Sequence, residues 1–155
     1  TIVVKEQRNL GGDKFVCEVR EGHNITLLKT SKSKGGMITA LRNGEVLGLA
    51  SDQNADNKGT EILFFDHKAS VPKGAAYFNY KTKCPIAIGF CMLNKDYSYD
   101  FKLRYLDIEH TEHNIENLFE LVGQKFSNIL EKEILKKPEQ YFWFHRKWDR
   151  KLYNN

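Results

Sequence analysis

The chain has 155 residues, 41% hydrophobic and 28% charged, a balance that suits a globular fold with a sizeable core and excludes a disordered chain. Its net charge of +4 is compatible with an anionic partner without demanding one. No run approaches the roughly 18 consecutive apolar residues of a membrane span, the first residues lack a signal-peptide layout, and Cys17, Cys84 and Cys91 fit no zinc spacing and suit a reducing compartment.

In chain order, Ile2, Val3 and Val4 read as a short strand. Because the chain opens on Thr and inside a strand, an N-terminal part is expected upstream of it. Gly11-Gly12-Asp13 reads as a turn before a helix through Phe15, Val16 and Val19, and residues 25–29 read as a second strand. A loop over 31–36 leads into a short helix over 37–41 that ends at Asn43-Gly44. Residues 46–50 form an apolar run of the kind covered on both faces.

A polar loop over 52–59 precedes a brief apolar piece, Ile62 to Phe65. Pro72 suits the first turn of a helix carrying Ala75, Ala76 and Phe78. Residues 85–92 read as a buried strand, in which the thiols Cys84 and Cys91 behave as small hydrophobes. Residues 97–108 alternate apolar and polar side chains, marking an antiparallel or edge strand. The strongest periodicity follows: Ile115, Leu118, Phe119, Val122, Phe126, Ile129, Leu130 and Leu135 share one helical face. Thr111 or Asn114 caps that helix and Pro138 ends it. Alternation of strands and helices gives an α/β fold with a mostly parallel sheet flanked by helices, and one domain over 1–155.

The run from Pro138 to Arg150 concentrates Tyr141, Phe142, Trp143, Phe144 and Trp148 among His145, Arg146, Lys147 and Arg150. Such a surface suits an apolar partner that also carries negative charge; a final helix with core aromatics and solvated cations is the plainer reading. Each exposed cation near an anionic lipid face contributes on the order of 1 kcal/mol. Asp52 sits just past the apolar run 46–50, where ligands of open α/β sheets bind, or else caps backbone amides there. Lys73 stands at a helix start whose amides favour anions, although Gly74 and Ala75 fit plain helix–sheet packing equally well.

The ordered set Pro138, Glu139, Gln140, Trp143, His145 and Arg146 resembles the end of the late acyltransferases of lipid A biosynthesis, the lauroyl and myristoyl enzymes. In that family a Pro-Glu-Gln-Tyr/Trp-x-Trp-x-His-Arg-Arg run closes the domain. Residues 37–42 and 44–53 resemble its Ala-Leu-Arg helix and its strand ending in Asp-Gln, while 71–76 and 83–86 resemble its small-residue helix and next strand entry. Near the start, Val4-Lys5-Glu6-Gln7-Arg8-Asn9 falls where the family has a Tyr-Arg-Pro-x-x-Asn stretch, with Lys5 in place of the Arg expected to help bind substrate. Arg8 and Arg20 are alternatives for that role.

The resemblance implies transfer of a fatty acyl chain from acyl carrier protein to a hydroxyl of a lipid A precursor. It places the enzyme at the cytoplasmic face of a bacterial inner membrane, without cofactor or metal. On it, Lys5, Arg8, Asp52 and Lys73 are expected at the substrate, and His145, Arg146 and Lys147 at the head group or membrane surface. Acyltransferases of this superfamily use a His, four intervening residues and an acid. The fifth residue after His23, His67, His110 and His113 is Leu28, Pro72, Ile115 and Leu118, and His145 precedes Asp149 by four. The dyad is therefore expected upstream of Thr1, the chain reads as the C-terminal half of such an enzyme, and the isolated piece is expected to self-associate.

A non-catalytic module for anionic lipid or membrane is the competing class. Single-stranded nucleic acid stacking on Trp143 and Trp148 is a third, and no nucleic-acid partner is expected. Asp52, Asn54 and Asp56 start a calcium-loop pattern that Asn57 and Leu63 break. His110 and His113, with Glu109, Glu112 and Glu116 nearby, suit a solvated helix entry better than a metal. The sequence contains neither a glycine-rich phosphate loop nor a serine nucleophile elbow.

Overall fold

The computed structural model describes residues 1–4, 6–21, 25–29, 34–108, 114–148 and 150–153. They form two compact units, Thr1–Ala50 and Ser51–Asn155.

In the first unit, strand β1 (Ile2–Val4) pairs in parallel with β2 (Leu27–Lys29), Ile2 opposite Leu27. Helix α1 (Leu10–Glu21) connects them, as parallel neighbours require a crossover. The helix absorbs Gly11, Gly12 and Asp13, where a turn was expected, because Asn9 caps it: its Oδ1 accepts the Gly12 amide at 2.9 Å. Asp13 turns its carboxylate to the Gln7 amide at 2.9 Å and to Lys29 Nζ at 3.2 Å, and these bonds hold its pKa below the usual value. Helix α2 (Lys34–Arg42) buries Met37 and Ala40. It ends where Gly44, at φ +81°, adopts the left-handed conformation that glycine takes freely.

The apolar run 46–50 does not form the expected doubly covered strand. Only Gly48 pairs, with Ile2 in parallel, and Val46 lies exposed.

The second unit is organised around α4 (Ile115–Ile134), whose apolar stripe meets two hairpins. Strands β3 (Thr60–Phe64) and β4 (His67–Val71) pair antiparallel, as do β5 (Ile86–Leu93) and β6 (Tyr99–Leu106). Helix α3 (Gly74–Thr82) lies between them in sequence, and begins after Pro72 instead of on it. One core cluster joins Ile62, Phe64, Ala69 and Val71 to Leu130 and Ile134; the other joins Ala76, Ile88 and Leu106 to Leu118 and Val122. Phe90 and Phe126 pack against both. Asn114 caps α4, accepting the Glu116 amide at 3.2 Å, whereas Thr111 lies outside the described residues.

The architecture is therefore mixed α/β, but among the described residues, of the three paired sets of strands only β1–β2 is parallel. The expected mostly parallel sheet gives way to hairpins because short turns join β3 to β4 and β5 to β6, and a two-residue or five-residue link leaves no room for a crossover.

Helix α4 approaches the first hairpin closely at Gly123, where an added Cβ would meet methyls of Ile62, Thr60 and Val71 at 3.0 Å each. It also bonds the hairpin's backbone. Gln124 accepts the Leu63 amide at 2.8 Å and donates to the Leu63 carbonyl at 3.0 Å, and Glu131 accepts the Phe65 amide at 2.9 Å. Near its end, Glu133 is 2% exposed under half-exposed Lys136 (2.6 Å), Arg104 (3.1 Å) and Lys102 (3.9 Å). The Lys136 hydrogen bond, with the charge of all three cations, outweighs burial and keeps this carboxyl below its ordinary pKa.

Candidate functional site

The candidate site grows from the segment that follows α4. Pro138 opens a 3₁₀ turn, Pro138–Gln140. Gln140 then grips the end of β5, accepting the Leu93 amide and donating to the Leu93 carbonyl, both at 2.8 Å. Lys137 donates to the same carbonyl and to Asn94 Oδ1, each at 3.0 Å. Trp143 folds back to donate its Nε1–H to the Pro138 carbonyl at 2.7 Å.

From there the chain runs in a non-helical conformation, with Tyr141, His145, Lys147 and Trp148 turned inward. Tyr141 Oη–H and Lys147 Nζ both donate to the main-chain carbonyl of Asp52, at 3.2 and 2.7 Å. Between them, His145 Nε2 accepts the Asn54 amide at 2.8 Å, and Asn54 Nδ2 donates to the Arg146 carbonyl at 3.2 Å. Trp148 pairs with Ala69 in an antiparallel bridge and donates its indole N–H to the Phe64 carbonyl at 2.9 Å. Trp143 and Trp148 stack with ring centroids 6.3 Å apart.

Lys147 is 1% exposed, and its ammonium lies 5.4 Å from the Phe64 ring centroid. Burial pushes its pKa down to about 8, against a smaller opposing pull from Asp52. Tyr141 moves the other way, to about 12, because burial and the neighbouring Asp52 charge both disfavour the phenolate. The result is a desolvated clasp in which a loop carbonyl holds a phenol and an ammonium.

Asp52, His145, Arg146 and Lys147 are brought together here, through the loop 52–54. Lys147, expected at the surface, is buried, with its ammonium over the Phe64 ring and bonded to the Asp52 carbonyl. His145 is half-buried and bonded inward, so Arg146 is the exposed member of the three. Lys73 stands elsewhere in this unit, ahead of α3, with its ammonium 5.3 Å from the centroid of the Phe119 ring. Arg8 is exposed in the first unit just before α1, and Lys5 lies outside the described residues. Sequence reasoning missed Tyr141 and Asn54 as clasp partners.

Two kinds of relationship bear on this arrangement. The family model described as bacterial lipid A biosynthesis acyltransferase matches residues 1–150. The chain is 29% identical over 115 residues to the lipid A biosynthesis palmitoleoyltransferase of Escherichia coli (strain K12), and equally to the lipid A biosynthesis acyltransferase of Shigella flexneri. Each alignment covers 73% of this chain and 36% of the relative, so the matched region spans about a third of those proteins.

Proposed function

The chain belongs to the bacterial lipid A biosynthesis acyltransferase family, and from that premise we propose that it is the C-terminal half of a late acyltransferase acting on a lipid A precursor. The observation that carries the reading is the family match over residues 1–150.

In the proposed reaction an acceptor hydroxyl attacks the thioester carbonyl of an acyl carrier protein. An ester forms, the thioester breaks, and the proton taken from the hydroxyl ends on the departing thiol. The His and acid that would move this proton belong to the part of the enzyme outside residues 1–155. Arg8, Asp52 and Lys73, with Lys5, serve the substrate in this reading, and the work takes place at the cytoplasmic face of the inner membrane. No cofactor is involved. The clasp supports the reading by giving the family's Pro-Glu-Gln-x-x-Trp-x-His run a fixed conformation against the Asp52 loop.

A specific observation favours a second reading, a non-catalytic module for anionic lipid: Phe142, Phe144 and Arg146 lie exposed together on the C-terminal segment. The separating experiment supplies a polypeptide of the relatives' length, carrying residues 1–155, with acyl-loaded carrier protein and a lipid A precursor. A gain of one acyl chain by mass spectrometry is expected. Lipid binding without any acyl transfer would establish the second reading instead.

A further inference from the structure

The clasp leaves one part of its segment facing outward. Tyr141, His145, Lys147 and Trp148 are tied inward at alternating or neighbouring positions, and Trp143 is anchored to Pro138. Phe142 and Phe144, on the opposite side, are 61% and 92% exposed, with ring centroids 5.9 Å apart. Leaving two phenyl rings in water forfeits the favourable transfer that burying them would return. Arg146 is exposed two residues further on, and among the described residues it has no ion-pair partner. Lys147 and Lys137, by contrast, are already engaged with carbonyls.

We propose that Phe142 and Phe144, with Arg146 beside them, form a rigid knuckle that inserts into an anionic lipid bilayer. Exposure and charge select a bilayer over a protein partner. Acyl chains accept two neighbouring exposed rings without needing a matching pocket. The adjacent exposed guanidinium complements a phosphate-bearing surface, as in interfacial anchors that combine aromatic insertion with basic residues. The backbone under the rings is held before contact, so insertion need not order it. The turn of the β5–β6 hairpin, carrying exposed Lys95 and Tyr97, is fastened to the start of the same segment through Gln140 and Lys137. The inference does not rest on acyl transfer.

The test is cosedimentation of the full chain with sucrose-loaded vesicles of phosphatidylcholine, with and without phosphatidylglycerol, in the absence of acyl donor and acceptor. Wild type is expected to bind the anionic vesicles, with Trp143 fluorescence quenched by brominated acyl chains. F142S/F144S should bind at least about tenfold more weakly, F142L/F144L should retain binding, and R146Q should lose about fivefold on anionic vesicles only. An unchanged near-ultraviolet circular dichroism signal from the Trp143–Trp148 stack would show that each variant keeps its clasp. Equal vesicle binding by wild type and F142S/F144S overturns the proposal, as does no binding by wild type. Loss of self-association in F142S/F144S, with vesicle binding intact, overturns it in favour of contact between copies.

Discussion

Lys147 and Tyr141 share one acceptor yet respond to pH in opposite senses. Lys147 has a folded pKa of about 8 against an ordinary 10.5, so between those values the unfolded chain holds more protons and stability rises with pH. The gain is fully present above 10.5 and is lost as pH falls through 8; its full size is about 3 kcal/mol. Tyr141, with a folded pKa of about 12 against 10.0, adds stability fully present below 10 that disappears as pH climbs toward 12. From this pair alone, stability peaks just above pH 10. Lys147→Met fills the buried position with an apolar chain and leaves Tyr141 bonded to Asp52, and should change stability at pH 7 by no more than about 1 kcal/mol. Urea unfolding at pH 7 to 10 checks this: the wild-type rise above pH 8 should vanish in the variant. A rise that persisted would assign the titration to another group.

At the scale of elements, the tightest dependence is that of α4 on a small residue. Gly123→Ala would push a methyl to 3.0 Å from three side chains on β3 and β4, where neither strand nor helix can yield alone. Overpacking of this kind costs about 1–3 kcal/mol, more than the helical gain from replacing glycine. A lower urea midpoint with an unchanged slope is the expected result. Helix α4 and strand β6 were legible in the sequence, one through its three-and-four spacing and the other through its alternation.

Strand β4 was not legible. Its turn places Phe65 and Asp66 at φ +48° and +61°, a conformation that hairpins usually mark with Asn or Gly. Glu131, bonded to the Phe65 amide, and the edge-on Phe64 ring 4.8 Å away supply the support that local sequence did not advertise. The run 46–50 erred the other way, since apolar content cannot say which residues find a pairing partner. For the site, motif and order were readable; which face each residue took was not, because that depends on a carbonyl at Asp52 far away in sequence.

At the scale of the whole molecule, one side of the β5–β6 hairpin leaves an apolar surface uncovered. Tyr99, Phe101, Leu103 and Tyr105 alternate along β6 and all lie exposed, while their opposite face meets the core around Ile88 and α4. A contiguous apolar face of this kind rarely stays bare. Residues 1–155 expressed alone are therefore expected to self-associate reversibly, with sedimentation coefficients rising with concentration. Phe101→Ser with Tyr105→Ser should shift the equilibrium toward monomer, and a concentration-independent monomer for the unmodified chain would disprove the expectation.

Gln124 and Gln140 give that association its form. Each presents a carboxamide, with the same donor and acceptor as a peptide group, to both outward main-chain groups of one residue: Gln124 to Leu63 and Gln140 to Leu93. Each is a counterfeit peptide, occupying a berth where an incoming strand would begin to pair. Copies of this chain can therefore meet face to face through tyrosines and phenylalanine and part again, while zippering along these two strands, the route to fibrils, meets a plug at Leu63 and another at Leu93.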